Sequence, residues 1–478
     1  MAHPTRTHQP VPSSAALGER PSRARWLALV LLAAAQFMLI LDVTVLNVAL
    51  PQLGAELGLE RALSGWAITA YVIPFGGLLL FGGRLADLFG SRRMFLIGLT
   101  LFTTASFFAG FADNASSLFA TRAVQGVGAA LLSPAALATV TSRFTGADRH
   151  RALAAWGAVG AVGAAVGVLI GGILTDGPGW RWIFFINVPV GVVVAVLLPF
   201  VVRAVPVLRR GRGLDILGAF LVTSASGSLI YGITSIGDGA RPARAMTWLA
   251  VAALLFLFFV VRERTARDPL LNVGILTRRP VQAGVLVMLA ASALLVGSFF
   301  LFSFVLQSHH GWSPLATGFA FFPIAVATLF GAHLSGHIIS ENGGRRVAAV
   351  AFILATLGTG LAAFGLDTIP LLIAGVSIAA LGLGGAFVSA TTTAMSHVEP
   401  YETGITSGII NTFHELGAAV GVAALSVIAA GSLAAPQQTS GFVTGYWTIA
   451  VVALVAAVVA VAIVPAGKPA AGTPRFVH

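Results

Sequence analysis

The sequence predicts an all-α polytopic membrane protein, and three observations carry that reading. Of its 478 residues 57% are hydrophobic and only 9% charged, against roughly 25% charged in ordinary soluble domains. Apolar runs of spanning length follow one another to the end of the chain, each near the roughly 20 residues a bilayer requires. Finally, blocks of sequence recur at an offset of about 254 residues, as expected of a duplicated bundle.

Taken in order, the predicted spans begin with 26–49, whose only charge is Asp42. Runs at 63–85 and 94–112 are separated by a turn rich in glycine and arginine. The run 116–140 contains Arg122, and 152–174 is rich in glycine. After 182–202 come a Ser- and Thr-rich run at 214–236 and a short one at 245–261. The remainder are 281–306, 315–339, 347–366, 370–394, 404–431 and 443–464. Fourteen spans put both termini on one side. With residues 1–25 read as a cytoplasmic, uncleaved tail, 23 of the 28 Lys and Arg fall in cytoplasmic segments, which is the positive-inside asymmetry. The expected location is therefore the cytoplasmic (plasma) membrane, multi-pass, with both termini cytoplasmic. The net charge of +11 orients the chain in lipid and does not point to nucleic acid. Dropping 214–236 and 245–261 would leave twelve spans with the same orientation elsewhere, so charge counting leaves that choice open.

The repeats divide the chain. Gly163–Val168 recurs letter for letter as Gly417–Val422, Gln125–Ala130 is echoed by Leu381–Ala386, and Gly83–Arg93 aligns with Gly336–Arg346. Their shared offset predicts two six-helix bundles, 26–203 and 263–464. Two additional helices lie between them in 204–262, and tails in 1–25 and 465–478.

Five polar or glycine-rich constellations interrupt the apolar pattern. A carboxylate at the depth of Asp42 costs roughly 2.5–3.5 kcal/mol on insertion scales, so it faces protein or water rather than lipid; Asn47 lies five residues on. Arg122 and Gln125 stand three apart and share a helix face, and an always-charged guanidinium needs a partner, for which Asp42 is the candidate. Snorkelling of Arg122 to a headgroup is the alternative. The segment Gly83-Arg84-Leu85-Ala86-Asp87-Leu88-Phe89-Gly90-Ser91-Arg92-Arg93 provides glycines for a tight turn and charges that can pair or meet headgroups. Plain topogenic charge is the alternative for Arg92 and Arg93. Gly163, Gly167, Gly171 and Gly172 allow close helix contact. Asn411, His414 and Glu415 form a polar stripe, either on a substrate path or as a hydrogen-bonded cluster joining helices.

These stretches resemble one family. Leu41–Pro51 matches the first-helix signature LDxTVxNVALP of the fourteen-helix drug:proton antiporters of the EmrB/QacA type, within the major facilitator superfamily. Arg122–Ala130 matches RxxQGxGAA, and 83–93 is similar to GxLaDrxGrk, departing at Leu88 and Ser91. Helix 5 departs from GxxxGPxxGG, with Val168 in place of proline. Trp66 and Tyr71 fit a WxxTAY-like stretch. The resemblance implies a major facilitator fold of two six-helix halves plus two extra central helices. It implies proton coupling through Asp42 and Arg122, and a substrate pathway along Asn47, Trp66, Tyr71, Gln125, Asn411, His414 and Glu415. Gating would fall to Gly83, Asp87, Gly90, Arg92 and Arg93, with Asp87 pairing across the interface of the halves.

The implied activity is proton-coupled efflux of amphipathic small molecules, cationic or hydrophobic, by alternating access. The partners are the small-molecule substrate, protons and membrane lipid, and the expected state is a monomer. No cofactor is expected. Lys468 is the single lysine, which excludes a GxxxxGK[ST] phosphate loop, and cysteine is absent. An enzyme is not expected. The competing readings are a narrow transporter of one metabolite, exporting or importing, and a membrane sensor that keeps the fold.

Overall fold

The computed structural model describes residues 22–59, 65–144, 146–203, 213–237, 242–271, 273–396, 398, 402–435 and 437–466. Of the expected tails, 1–21 and 467–478 lie outside the described residues, as does 204–212 at the first bundle boundary, while 22–25 of the first tail open the first helix. Among the described residues there is no strand, and fourteen long helices form. The first six are α1 Ser22–Glu56, α2 Trp66–Phe89, α3 Ser91–Ala109, α4 Ala115–Arg143, α5 Gly146–Asp176 and α6 Trp182–Val201, the last broken at Ile186. The inserted pair are α7 Ile216–Gly237 and α8 Pro242–Thr265. The last six are α9 Arg279–Phe304, α10 Pro314–Asn342, α11 Gly344–Phe364, α12 Ile369–Met395, α13 Thr403–Ile428 and α14 Ser440–Ile463.

Twelve of these are long and apolar enough to cross a membrane, α7 and α8 among them. The two outside that set are α3, which opens on Arg92 and Arg93, and α5, whose apolar stretch is Val166–Asp176. The Ser- and Thr-rich run at 214–236 and the short run at 245–261 therefore both qualify.

Packing repeats in the two bundles. In the first, α1 packs on α5, α2 and α3 on α4, and α3 on α6; in the second, α9 packs on α13, α10 and α11 on α12, and α11 on α14. The glycine stripe explains the first of these pairs. A Cβ at Gly163 would sit 3.2 Å from Ile40, one at Gly167 would overlap the Thr44 hydroxyl, and one at Gly171 would lie 3.0 Å from the Val45 backbone. The backbones of α1 and α5 approach this closely only because those positions lack side chains. Helix α5 runs unbroken through Val168, where proline would have removed a hydrogen bond.

The segment 83–93 differs from the expected loop. Gly83 lies inside α2, α3 starts at Ser91, and Gly90 alone stands between the helices at φ +93°. Gly343 repeats that turn at φ +76° between α10 and α11, and an L side chain rarely adopts either conformation. Leucines and alanines so favour helix that α2 continues to its last turn before the glycine breaks it.

The bundles meet along α2·α13 and α5·α10, two contacts exchanged by the internal symmetry, and more sparsely along α1·α9. At the end of the bundle where α1 finishes, Gln307 Nε2 donates to the Val48 carbonyl (2.7 Å). Gly172 also faces across the divide there: a Cβ on it would lie 2.8 Å from the Pro314 carbonyl. Helix α7 packs on both α2 and α13, covering their seam, and α8 packs on α7.

Candidate functional site

The site sits inside the first bundle, where the apolar helices bring together the few polar groups they contain. Asp42 on α1 and Arg122 on α4 form a buried ion pair, each side chain about 1% exposed. Arg122 Nε donates to the Ala67 carbonyl on α2 (3.0 Å) and Nη1 to Gln125 Oε1 (3.0 Å). Gln125 Nε2 in turn donates to Asp42 Oδ1 (3.2 Å) and to Ser106 Oγ on α3 (2.6 Å). Asn187 on α6 completes the set, its Nδ2 donating to Asp42 Oδ1 at 2.9 Å. The guanidinium carbon lies 4.4 Å from the Tyr71 ring centroid and 5.8 Å from that of Phe184, within cation–π range.

Five helices thus converge on one carboxylate. A buried ion pair survives desolvation only when its remaining donors and acceptors are satisfied, and here Arg122, Gln125 and Asn187 all donate to Asp42. Protonating Asp42 would cancel the charge that organises those donors and leave Arg122 to its neutral partners. The network links α1, α2, α3, α4 and α6 around the buried pair.

Sequence reasoning found Asp42, Arg122 and Gln125 from their charge and spacing, and the structure brings the three into contact. It missed Ser106, Asn187 and Phe184. A Ser or Asn in an apolar helix is common, and only the tertiary fold shows that these two converge. Asn47 is buried one turn beyond Asp42, its Nδ2 donating to the Val43 carbonyl at 3.1 Å. Tyr71 is wholly buried beneath Arg122. The Trp66 ring lies 6.2 Å from that of Tyr231 on α7.

The second acid occupies a different place. Glu415 on α13 lies against α2, where a Cβ on Gly76 would approach its Cβ to 2.7 Å. It lines a small cavity with Ile73, Gly76, Gly77, Thr412 and Ser226 of α7. His414 Nδ1 is 3.3 Å from Glu415 Oε1, and Ser292 Oγ of α9 donates to the His414 carbonyl (2.7 Å). Asn411, one turn before them on α13, is exposed. Glu415 therefore sits on the seam of the two bundles, beside the inserted helix.

At the α2–α3 turn, Arg92 Nη2 donates to the Pro199 carbonyl near the end of α6 (3.3 Å). Its counterpart Arg345 donates through Nε to the Val464 carbonyl at the end of α14 (2.6 Å). Both cap a helix C-terminus, where a cation is favoured. Arg93 and Asp87 are exposed, and among the described residues Asp87 has no ion-pair partner within 4.0 Å. Gly90 makes the turn, whereas Gly83 lies within α2, where an added Cβ would only touch Pro134 at 3.7 Å. The cross-interface pairing expected of Asp87 is not formed in this conformation.

Comparison with known proteins gives this geometry a lineage. The sequence pattern described as "Major Facilitator Superfamily" matches residues 32–422. The puromycin resistance protein pur8 of Streptomyces alboniger is 36% identical over 435 residues, covering 89% of this chain and 86% of that protein. The cephamycin export protein CmcT of Amycolatopsis lactamdurans is 35% identical over 429 residues, covering 86% of each. Among solved structures, the POT family transporter PepTSo superposes with a TM-score of 0.66 at 15% identity, over 93% of this chain and 98% of that one, a likeness of fold alone. The relatives are transporters, not enzymes, and this chain, a multi-pass membrane protein, belongs to the Major Facilitator Superfamily.

Proposed function

We propose that the protein is a proton-coupled exporter of amphipathic small molecules that works by alternating access, with fourteen spans, both termini cytoplasmic and a monomer as the working unit. The observation that carries this reading is the Asp42 network: a carboxylate in a spanning helix, held by three donors from two other helices. Exchanging one proton through 100 mV supplies about 2.3 kcal/mol, enough to drive accumulation. In this mechanism Asp42 takes the proton and Arg122 loses its ionic partner, so that α1, α4 and α6 shift together and the bundles rock. Glu415 attracts the charge of a cationic substrate at the seam, and Asp87 pairs across the near end only when the bundles close there. The drive is the proton gradient, with no cofactor.

The names of the relatives support export of antibiotics. Each refers to one compound, which favours a second reading in which this chain serves one narrow class. A susceptibility panel in an efflux-deficient host separates the two: resistance to many unrelated cations supports the broad exporter, and resistance to one scaffold the narrow one. Accumulation of those compounds with and without an uncoupler tests the drive. Export that persists after the gradient collapses overturns proton coupling.

A further inference from the structure

The inserted helices contain a charge imbalance that the network around Asp42 does not use. Asp215, just before α7, and Glu263, at the last turn of α8, are each about 3% exposed. A methyl group added at Gly218 would meet Glu263 Oε1 at 2.6 Å and Asp215 Oδ2 at 2.9 Å, so the two carboxylates flank a single Cα. One cation serves them. Arg262 Nε donates to both oxygens of Asp215 (3.1 and 3.2 Å), and the Gly218 amide also donates to Asp215 (2.9 Å). Glu263 Oε2 accepts the Leu271 amide (2.8 Å), whereas Oε1 is buried with no hydrogen-bond partner among the described residues. Of the charged groups nearby, Asp268 accepts the Gly213 amide and Arg264 is exposed.

Among the described residues, two buried carboxylates stand against one guanidinium, which leaves one negative charge without compensation. A buried unpaired carboxylate is among the most unfavourable groups a protein can hold, and protonation is the ordinary remedy. An orphaned Oε1 is also what a neutral carboxyl's hydroxyl would occupy. We propose that Asp215 and Glu263 bind one proton between them, making the α7–α8 insert a second proton site separate from Asp42. The proton is lodged on Glu263, because Asp215 already has Arg262. A small metal cation would meet the same charge demand and is the competing occupant. The site lies two to three turns along α7 from Thr223, which abuts Gly77 of α2, and from Ser226, which lines the Glu415 cavity.

The test uses the purified full-length protein and does not depend on transport. A proton held by the folded chain and lost on unfolding makes stability fall as pH rises, by about tenfold in the folding constant per pH unit for one proton. Melting temperature is measured across neutral pH in wild type, Glu263→Gln and Asp215→Asn. The expected result is a decline with pH in wild type that is lost in Glu263→Gln, which keeps the Leu271 contact, and in Asp215→Asn, which frees Arg262 for Glu263. In wild type at neutral pH, infrared spectroscopy should show a protonated carboxyl band that shifts on isotopic labelling of glutamate and is absent from Glu263→Gln. The labelling arm stands even where a variant does not fold. An identical pH slope in all three proteins, absence of the labelled band, or stabilisation by sodium in place of protons overturns the proposal.

Discussion

Asp42 shows how much one residue can hold in place and how a variant there must be read. Replacing it by asparagine leaves Arg122 charged and buried, and breaking such a pair costs about 3–5 kcal/mol. Asp42→Asn should therefore lower the melting temperature as well as abolish uphill export, and Asp42→Asn combined with Arg122→Gln should recover part of that stability without recovering export. Thermal melts of the two variants beside transport assays check this; a single variant as stable as wild type would mean that the pair contributes little. Glu415 gives a separate expectation. Glu415→Gln should impair export of a cationic dye far more than a matched neutral one, because glutamine retains only hydrogen bonding. Equal losses for both dyes would remove Glu415 from charge selection. At this scale the sequence was readable where charge broke an apolar run. Asp42, Arg122 and Gln125 stood out for that reason, and Ser106 and Asn187 did not, since nothing in their own segments distinguishes them from any small polar residue in a helix.

Helices α1 and α5 show what the glycines contribute at the next scale. Gly167→Val would force a side chain into the Thr44 hydroxyl, and overpacking of this kind costs about 1–3 kcal/mol. The same change at Gly58, which has nothing within 4 Å of its Cβ position, tests backbone strain alone, since its φ is +57°. Reduced expression and melting temperature in Gly167→Val, with Gly167→Ala intermediate, is the expected order; equal stability of all three proteins would show that α1 gives way freely. The stripe at Gly163, Gly167 and Gly171 was legible from its four-residue spacing. Gly172, beside them in sequence, points to the other bundle instead, which spacing alone cannot tell. The boundary between α2 and α3 was less legible. Helix-forming residues run through 83–89, so the glycine at 83 looks like a turn but lies within α2, its neighbour Gly82 makes the close approach to Ala130 of α4, and the turn falls at Gly90.

For the molecule as a whole, the informative feature is where the two bundles touch. A Cβ on Gly172 would lie 3.4 Å from the Cα of Gly318, and one on Gly318 would lie 3.3 Å from the Cα of Gly172. The two glycines face one another across the divide, within reach of a pair of thiols, and the chain has no cysteine of its own. Gly172→Cys with Gly318→Cys should therefore cross-link under oxidation, arrest transport and be released by reductant. A cross-linked protein that still exports would mean that the bundles do not part at this end. The duplication behind this geometry was visible in three echoes sharing one offset. The exchange of α2·α13 for α5·α10 follows from that symmetry, but the place of α7 does not, because an inserted helix has no counterpart from which to infer it.

That place breaks the symmetry in a way that bears on the surrounding lipid. Helix α7 lies over the seam of α2 and α13, while among the described residues no helix lies over the matching seam of α5 and α10. One flank of the molecule is caulked and the other is bare. A greasy solute drifting within the bilayer would meet the divide between the bundles on the bare flank, so its sideways approach is one-handed although the helix packing of the two bundles repeats.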